Sequence, residues 1–173
     1  MILSLLLKMA FMKKFSGSSD ASTGSKLHLA LRLTVRFLQL VLALTAAGLY
    51  GVDLDNARKA HVYADGKWVY AEVVAALAAI TAILFMAIPQ IKSWFLWIWD
   101  AVLFLLWTAL FGLFGNMYIK EKAEGDTGVQ RMKNAVWVDL VNMLLWFLTA
   151  VAGTVLFLKE RRGRTLHTGR AQV

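Results

Sequence analysis

Along the chain, polar and charged residues gather into short clusters that separate four long apolar stretches, Leu29–Val52, Trp68–Ile88, Trp94–Tyr118 and Val136–Leu158. Each approaches the ~20 residues a helix needs to cross about 30 Å of hydrocarbon. Between them lie a polar loop over Asp53–Lys67, a tight turn at Pro89-Gln90 with Lys92, and a charged loop over Ile119–Ala135. The single proline stands where a helix should stop. Trp68, Trp94, Trp97, Trp99 and Trp137 mark the ends of the stretches, as an interfacial aromatic belt does, whereas Trp107 and Trp146 lie deeper. The pattern predicts an all-α membrane protein, a four-transmembrane-helix bundle over residues 29–158, preceded by a flexible segment (1–28) and followed by a basic tail (159–173).

Within the stretches, the rare polar residues share faces. Arg32, Arg36 and Gln39 fall at i, i+4 and i+7, and their stripe runs on through Ala43 and Ala47. Glu72 heads a second stripe of Ala75, Ala76, Ala79 and Ala82, and Asp139, Asn142, Trp146, Ala150 and Gly153 form a third. Polar residues leading into small ones suit close helix packing in lipid, where dispersion and hydrogen bonds replace the hydrophobic drive. The expectation is a compact left-handed bundle with these faces inward; the plainer alternative is that the alanines are simply tolerated apolar residues. Gly48, Gly51, Gly112 and Gly115 are expected to permit close packing or to end helices.

Two aspartates stand inside apolar stretches, and each is followed seven residues later by a tryptophan: Asp100 by Trp107, Asp139 by Trp146. A charged side chain at the centre of a membrane helix costs about 2.5–3.5 kcal/mol on insertion scales, so such residues normally find partners. At 1.5 Å per residue, Arg36 and Asp100 lie about 10 Å and 9 Å into their spans from the same side. Matched depth predicts an Arg36–Asp100 ion pair, with Arg32 as a snorkelling competitor; the alternative is that both arginines reach the headgroups. Glu72 and Asp139 lie about 5–6 Å in from the other side, shallow enough to stay wetted. A second arrangement would bring these two acids together over one shared proton and suggest a proton-linked role.

Composition supports lipid as the solvent: 59% of residues are hydrophobic and only 17% charged. Soluble domains average about 45–50% and 25%. The net charge of +8 is carried mostly at the two ends, a pattern of topology and anionic lipid rather than of nucleic acid. Twelve of the 19 basic residues lie on the side of the termini and the Lys92 turn. The bias places both termini in the cytoplasm. The apolar run Ile2–Leu7 is too short for a signal peptide and lacks basic residues ahead of it, so cleavage is not expected. With no cysteine and no Asn-x-Ser/Thr sequon, neither disulfides, lipidated thiols nor N-glycans are expected.

No catalytic constellation emerges. His28, His61 and His167 lie in three separate segments, and no His pair or carboxylate has zinc-motif spacing, so neither a metal nor a cofactor is expected. Lys159, Arg161, Arg162 and Arg164 could hold anionic headgroups, at about 1 kcal/mol per basic residue, or serve as a plain positive-inside anchor.

Taken in order, several motifs resemble those of the MARVEL-type (fungal membrane-associating) tetraspan family. They are Arg32-Leu-Thr-Val-Arg36-Phe-Leu-Gln39, Gly48-Leu-Tyr-Gly51, Trp68-x-Tyr70, Trp99-Asp100 with Trp107, Phe111-Gly112, and Trp137-Val-Asp139-Leu-Val-Asn142 with Trp146. The likeness covers roughly residues 29–158. It implies membrane-domain organisation, vesicle trafficking or membrane apposition at the plasma membrane or in the secretory system, through lateral association with lipids, other membrane proteins or itself, and it implies no catalytic residues. The competing expectation is a small transporter or channel subunit that uses Asp100, Asp139 and Glu72.

Overall fold

The computed structural model describes the backbone of residues 2–63, 65–88 and 93–167, and the side chains of residues 26–27, 29–63, 65–88, 95, 97–159 and 161–162. The expected turn at Pro89-Gln90 with Lys92, and the side chains of His28, Trp94, Arg164 and His167, lie outside the described residues. Those residues form four α-helices: α1 (Ile2–Lys59), α2 (Gly66–Ala87), α3 (Ser93–Tyr118) and α4 (Thr127–His167). Each contains a stretch long and apolar enough to cross a membrane. The chain separates into two units, Met1–Val35 and Arg36–Val173. The first is helical backbone from Ile2, where the Ser- and Gly-rich composition suggests a flexible segment. No proline interrupts it, and adding a residue to an existing helix costs far less than starting one.

Helices α1 and α4 extend further into the polar loops than hydropathy indicates, because the chain supplies its own terminators. Helix α1 ends after Lys59 in a Schellman motif: His61 takes a left-handed conformation (φ 53°), Val62 N–H donates to Ala57 O at 3.1 Å, and His61 N–H to Arg58 O at 3.2 Å. Asp65 caps α2 by accepting from Lys67 N–H at 3.0 Å. Asp126 accepts from Gly128 N–H at 2.7 Å and starts α4 nine residues before the apolar stretch begins at Val136. The turn ahead of it passes through Gly125 at φ +93°, a conformation that side chains with a Cβ rarely adopt.

Within Arg36–Val173 the contacts fix the topology. Along α1, the residues Arg36, Gly51 and Asp53 meet Phe85, Glu72 and Trp68 of α2 in descending order, so the two helices are antiparallel. Arg36, Tyr50 and Asp53 likewise meet Trp146, Asp139 and Arg131 of α4 in descending order. Against α3 the order ascends, Arg36 with Asp100 and Tyr50 with Phe114, so that pair runs parallel. Helices α3 and α4 are antiparallel through Trp97–Gly153, Phe104–Phe147 and Gly115–Val136. The result is an up-down-up-down four-helix bundle.

Its packing sets small against large. Helices α1 and α2 bury Ala43, Ala46, Ala71, Ala75, Ala78, Ala79 and Ala82, while α3 and α4 bury Leu103, Trp107, Leu110, Phe114, Val136 and Trp146. The alanines let helix backbones approach closely, and the tryptophans fill the axis left between them. On the α4 stripe, a Cβ on Gly153 would lie 2.8 Å from Trp97 Cβ, so only glycine fits that crossing. Other expected packing positions shift. Gly112 is exposed, with nothing within 4 Å of a Cβ placed there, and Ala76 is exposed as well. Ala47 is only partly buried, and Ala46 takes the full contact. Ala47 and Ala76 share a cause: each stands four residues after a stripe member, Ala43 and Glu72, and because a helix turns 100° per residue, a face followed in steps of four drifts off unless some steps are three. The outward faces carry Leu, Ile, Val and Phe, among them Leu44, Ile80, Leu105 and Leu148.

Candidate functional site

The interior holds three polar centres, and α1 contributes to each. At the first, Arg36 Nη2 donates to Asp100 Oδ2 at 2.6 Å, and Nη1 donates to Gln39 Oε1 at 2.9 Å. The guanidinium also stacks over the Phe85 ring at 4.8 Å and the Trp146 ring at 5.2 Å. One buried cation therefore touches all four helices. Both members of the pair are removed from solvent, Arg36 to 5% and Asp100 to 1% exposure. Gln39 Nε2 reaches Thr149 Oγ1 at 3.4 Å, so the network continues onto α4. Matched depth brings Arg36 and Asp100 together because α1 and α3 run parallel. Arg32, partly buried, belongs to the other unit.

About 21 Å along α1, at 1.5 Å per residue, is the second centre. There Tyr50 Oη donates to Asp139 Oδ2 at 2.5 Å, with both residues fully buried. Asp139 is expected to stay wetted near one end of its span, whereas the structure buries it fully inside the bundle, in a helix that begins at Thr127, nine residues before Val136. Asp139 does not share a proton with Glu72 either; its partner is the Tyr50 hydroxyl. Glu72 remains partly exposed and lays Oε1 against Gly51, 3.1 Å from where a Cβ there would stand. Asn142, one turn beyond Asp139, is fully buried.

The third centre sits where α1 and α4 leave the apolar zone. Asp53 accepts from Arg131 Nη2 at 2.5 Å and from Trp68 Nε1 at 3.2 Å, tying α4 and α2 to α1. Two further bolts join α2 to α3: Tyr70 Oη donates to Leu106 O at 3.0 Å, and Trp99 Nε1 to Thr81 Oγ1 at 2.9 Å.

None of Tyr50, Asp53 and Arg131 is among the site residues that the sequence alone singles out. The signal for the first two is present, because the Arg36, Gln39, Ala43 stripe continues at the same spacing through Ala46 to Tyr50 and Asp53. Arg131 lies in what hydropathy assigns to a loop. Lys159, Arg161 and Arg162 are exposed on the last turns of α4. Among the described residues, no three His, Asp or Glu side chains converge in a manner that would hold a metal ion. Comparison with protein-family models, with characterised proteins and with solved structures gives no match, so the MARVEL-type likeness stands as a resemblance in a set of short motifs.

Proposed function

We propose that the chain is an integral membrane protein with both termini in the cytoplasm, acting without catalysis as a lateral organiser of membrane domains or trafficking intermediates. The observation that carries this reading is the closure of Arg36 on Asp100 and Gln39, with Phe85 and Trp146 on its faces. The deepest charges are spent on holding four helices together, and the apolar outer faces are left for lipid and for partner helices. The exposed Lys159, Arg161 and Arg162 would then meet an anionic cytoplasmic leaflet. The MARVEL-type resemblance points the same way. The test is orientation together with clustering. Cysteines at Gly24 and Gly169 should label from the cytoplasmic side and one at Asp65 from outside, and replacing the outward-facing Leu105 or Leu148 by alanine should disperse the protein laterally. Opposite-side labelling of the termini, or clustering indifferent to both substitutions, contradicts the reading.

A second reading, a small carrier, is favoured by one observation: Asp139 and Asn142 are fully buried and carry polar atoms without a hydrogen-bond partner among the described residues. Solute or ion flux lost on Asp139→Asn would select it.

A further inference from the structure

On the inner face of α4, Asp139, Asn142 and Trp146 follow one another at helical spacing, each fully buried. The antiparallel register of α3 against α4, with Phe104 at Phe147 and Gly115 beside Val136, sets Trp107 between the levels of Asn142 and Trp146. Trp107 is fully buried as well. Asp139 gives one oxygen to Tyr50. Its Oδ1, both amide atoms of Asn142, and the indole Nε1 of Trp107 and of Trp146 are buried without a hydrogen-bond partner among the described residues.

The chemistry of this set is mixed. Asp139 Oδ1 and Asn142 Oδ1 accept hydrogen bonds, whereas Asn142 Nδ2 and the two indoles donate. A bare cation would suit the oxygens and meet three N–H donors. An anion would suit the donors and meet the Asp139 carboxylate. Water donates and accepts at once, and buried polar groups in folded proteins are regularly completed by ordered water. We infer that the bundle interior between Trp146 and Asp139 is a hydration site, in which ordered water bridges Asp139 Oδ1, the Asn142 amide and the indoles of Trp107 and Trp146. Its end is closed on one side by the Arg36 guanidinium over the Trp146 ring, a positive charge that opposes onward passage of protons and cations. The water is held as part of the fold. This inference does not depend on the organiser reading; a carrier would contain the same site.

The test uses the full chain in lipid nanodiscs with ¹⁵N-labelled tryptophan indoles, assigned by Trp107→Phe and Trp146→Phe. Trp99, partly buried and bonded to Thr81, serves as the reference resonance for an intact fold. Water-selective cross-relaxation should show water contacts at the Trp107 and Trp146 indole N–H, and Asn142→Leu should abolish both contacts while leaving the Trp99 resonance in place. The wild-type protein alone can overturn the inference: indoles of Trp107 and Trp146 with only protein cross-peaks would mean that these side chains pair among themselves in a dry core.

Discussion

Removing Asp100 is the sharpest perturbation of the bundle. In Asp100→Leu, Arg36 stays 5% exposed and loses the carboxylate that lies 2.6 Å from its Nη2. Breaking a buried ion pair by deleting one partner typically costs about 3–5 kcal/mol, because the surviving charge is uncompensated. Arg36 keeps its bond to Gln39 and its two aromatic faces, each worth about 0.5–2 kcal/mol, so the lower end of that range, about 3 kcal/mol, is expected. That is roughly a hundredfold change in the folding equilibrium. Arg36→Leu should cost at least as much, since it removes the guanidinium from Asp100, Gln39, Phe85 and Trp146 together. The double variant removes both charges together and should lose clearly less than the two single losses added, with a coupling of about 1–3 kcal/mol. The exchange Arg36→Asp with Asp100→Arg should recover only part, because the aromatic faces stay beside position 36. The assay is reversible unfolding in mixed micelles, followed by tryptophan fluorescence, over the complete double-mutant cycle. Strict additivity would refute the pairing as an energetic unit, as would full stability of either single variant.

Three further outcomes follow from the packing. Gly153→Leu should destabilise by about 1–3 kcal/mol or more through overpacking on the Trp97 backbone, while Gly112→Leu, at an open position, should be silent in the same thermal-stability assay. Tyr50→Phe should cost about 1–3 kcal/mol, because it leaves the buried Asp139 carboxylate without its donor; chemical denaturation of the purified variant measures it. Arg131→Met breaks the pair with Asp53, whose side chains are 23% and 25% exposed, and should cost about 1 kcal/mol or less and weaken further in high salt. A loss as large as that of Asp100→Leu would reverse the ranking of the polar centres.

The helices and the first polar centre are legible from residues alone because both depend on local quantities. Long apolar runs report helices, and depth counted along parallel helices matches Arg36 with Asp100. What is hidden depends on helix ends and on neighbours. Hydropathy cannot see that Asp126 starts α4 inside a charged loop, nor that the bundle closes around Asp139 and withdraws it from solvent. For the same reason Arg131 reads as a loop charge rather than the partner of Asp53. Gly112 and Gly153 look alike in the sequence; only the crossing with Trp97 separates them. The hydroxyl of Tyr50 enters the site because α1 and α4 run antiparallel at matching height, a relation between helices that no spacing within either one contains.

The central claim, that the polar interior binds the bundle together and conducts nothing, is tested most directly by flux measurements on the purified protein in liposomes. Proton, cation and anion fluxes should equal those of empty vesicles, for the wild type and for Asp139→Asn alike. Reproducible flux through the wild type that disappears in Asp139→Asn, with the variant still folded, would contradict the account and assign Asp139 to a transport path.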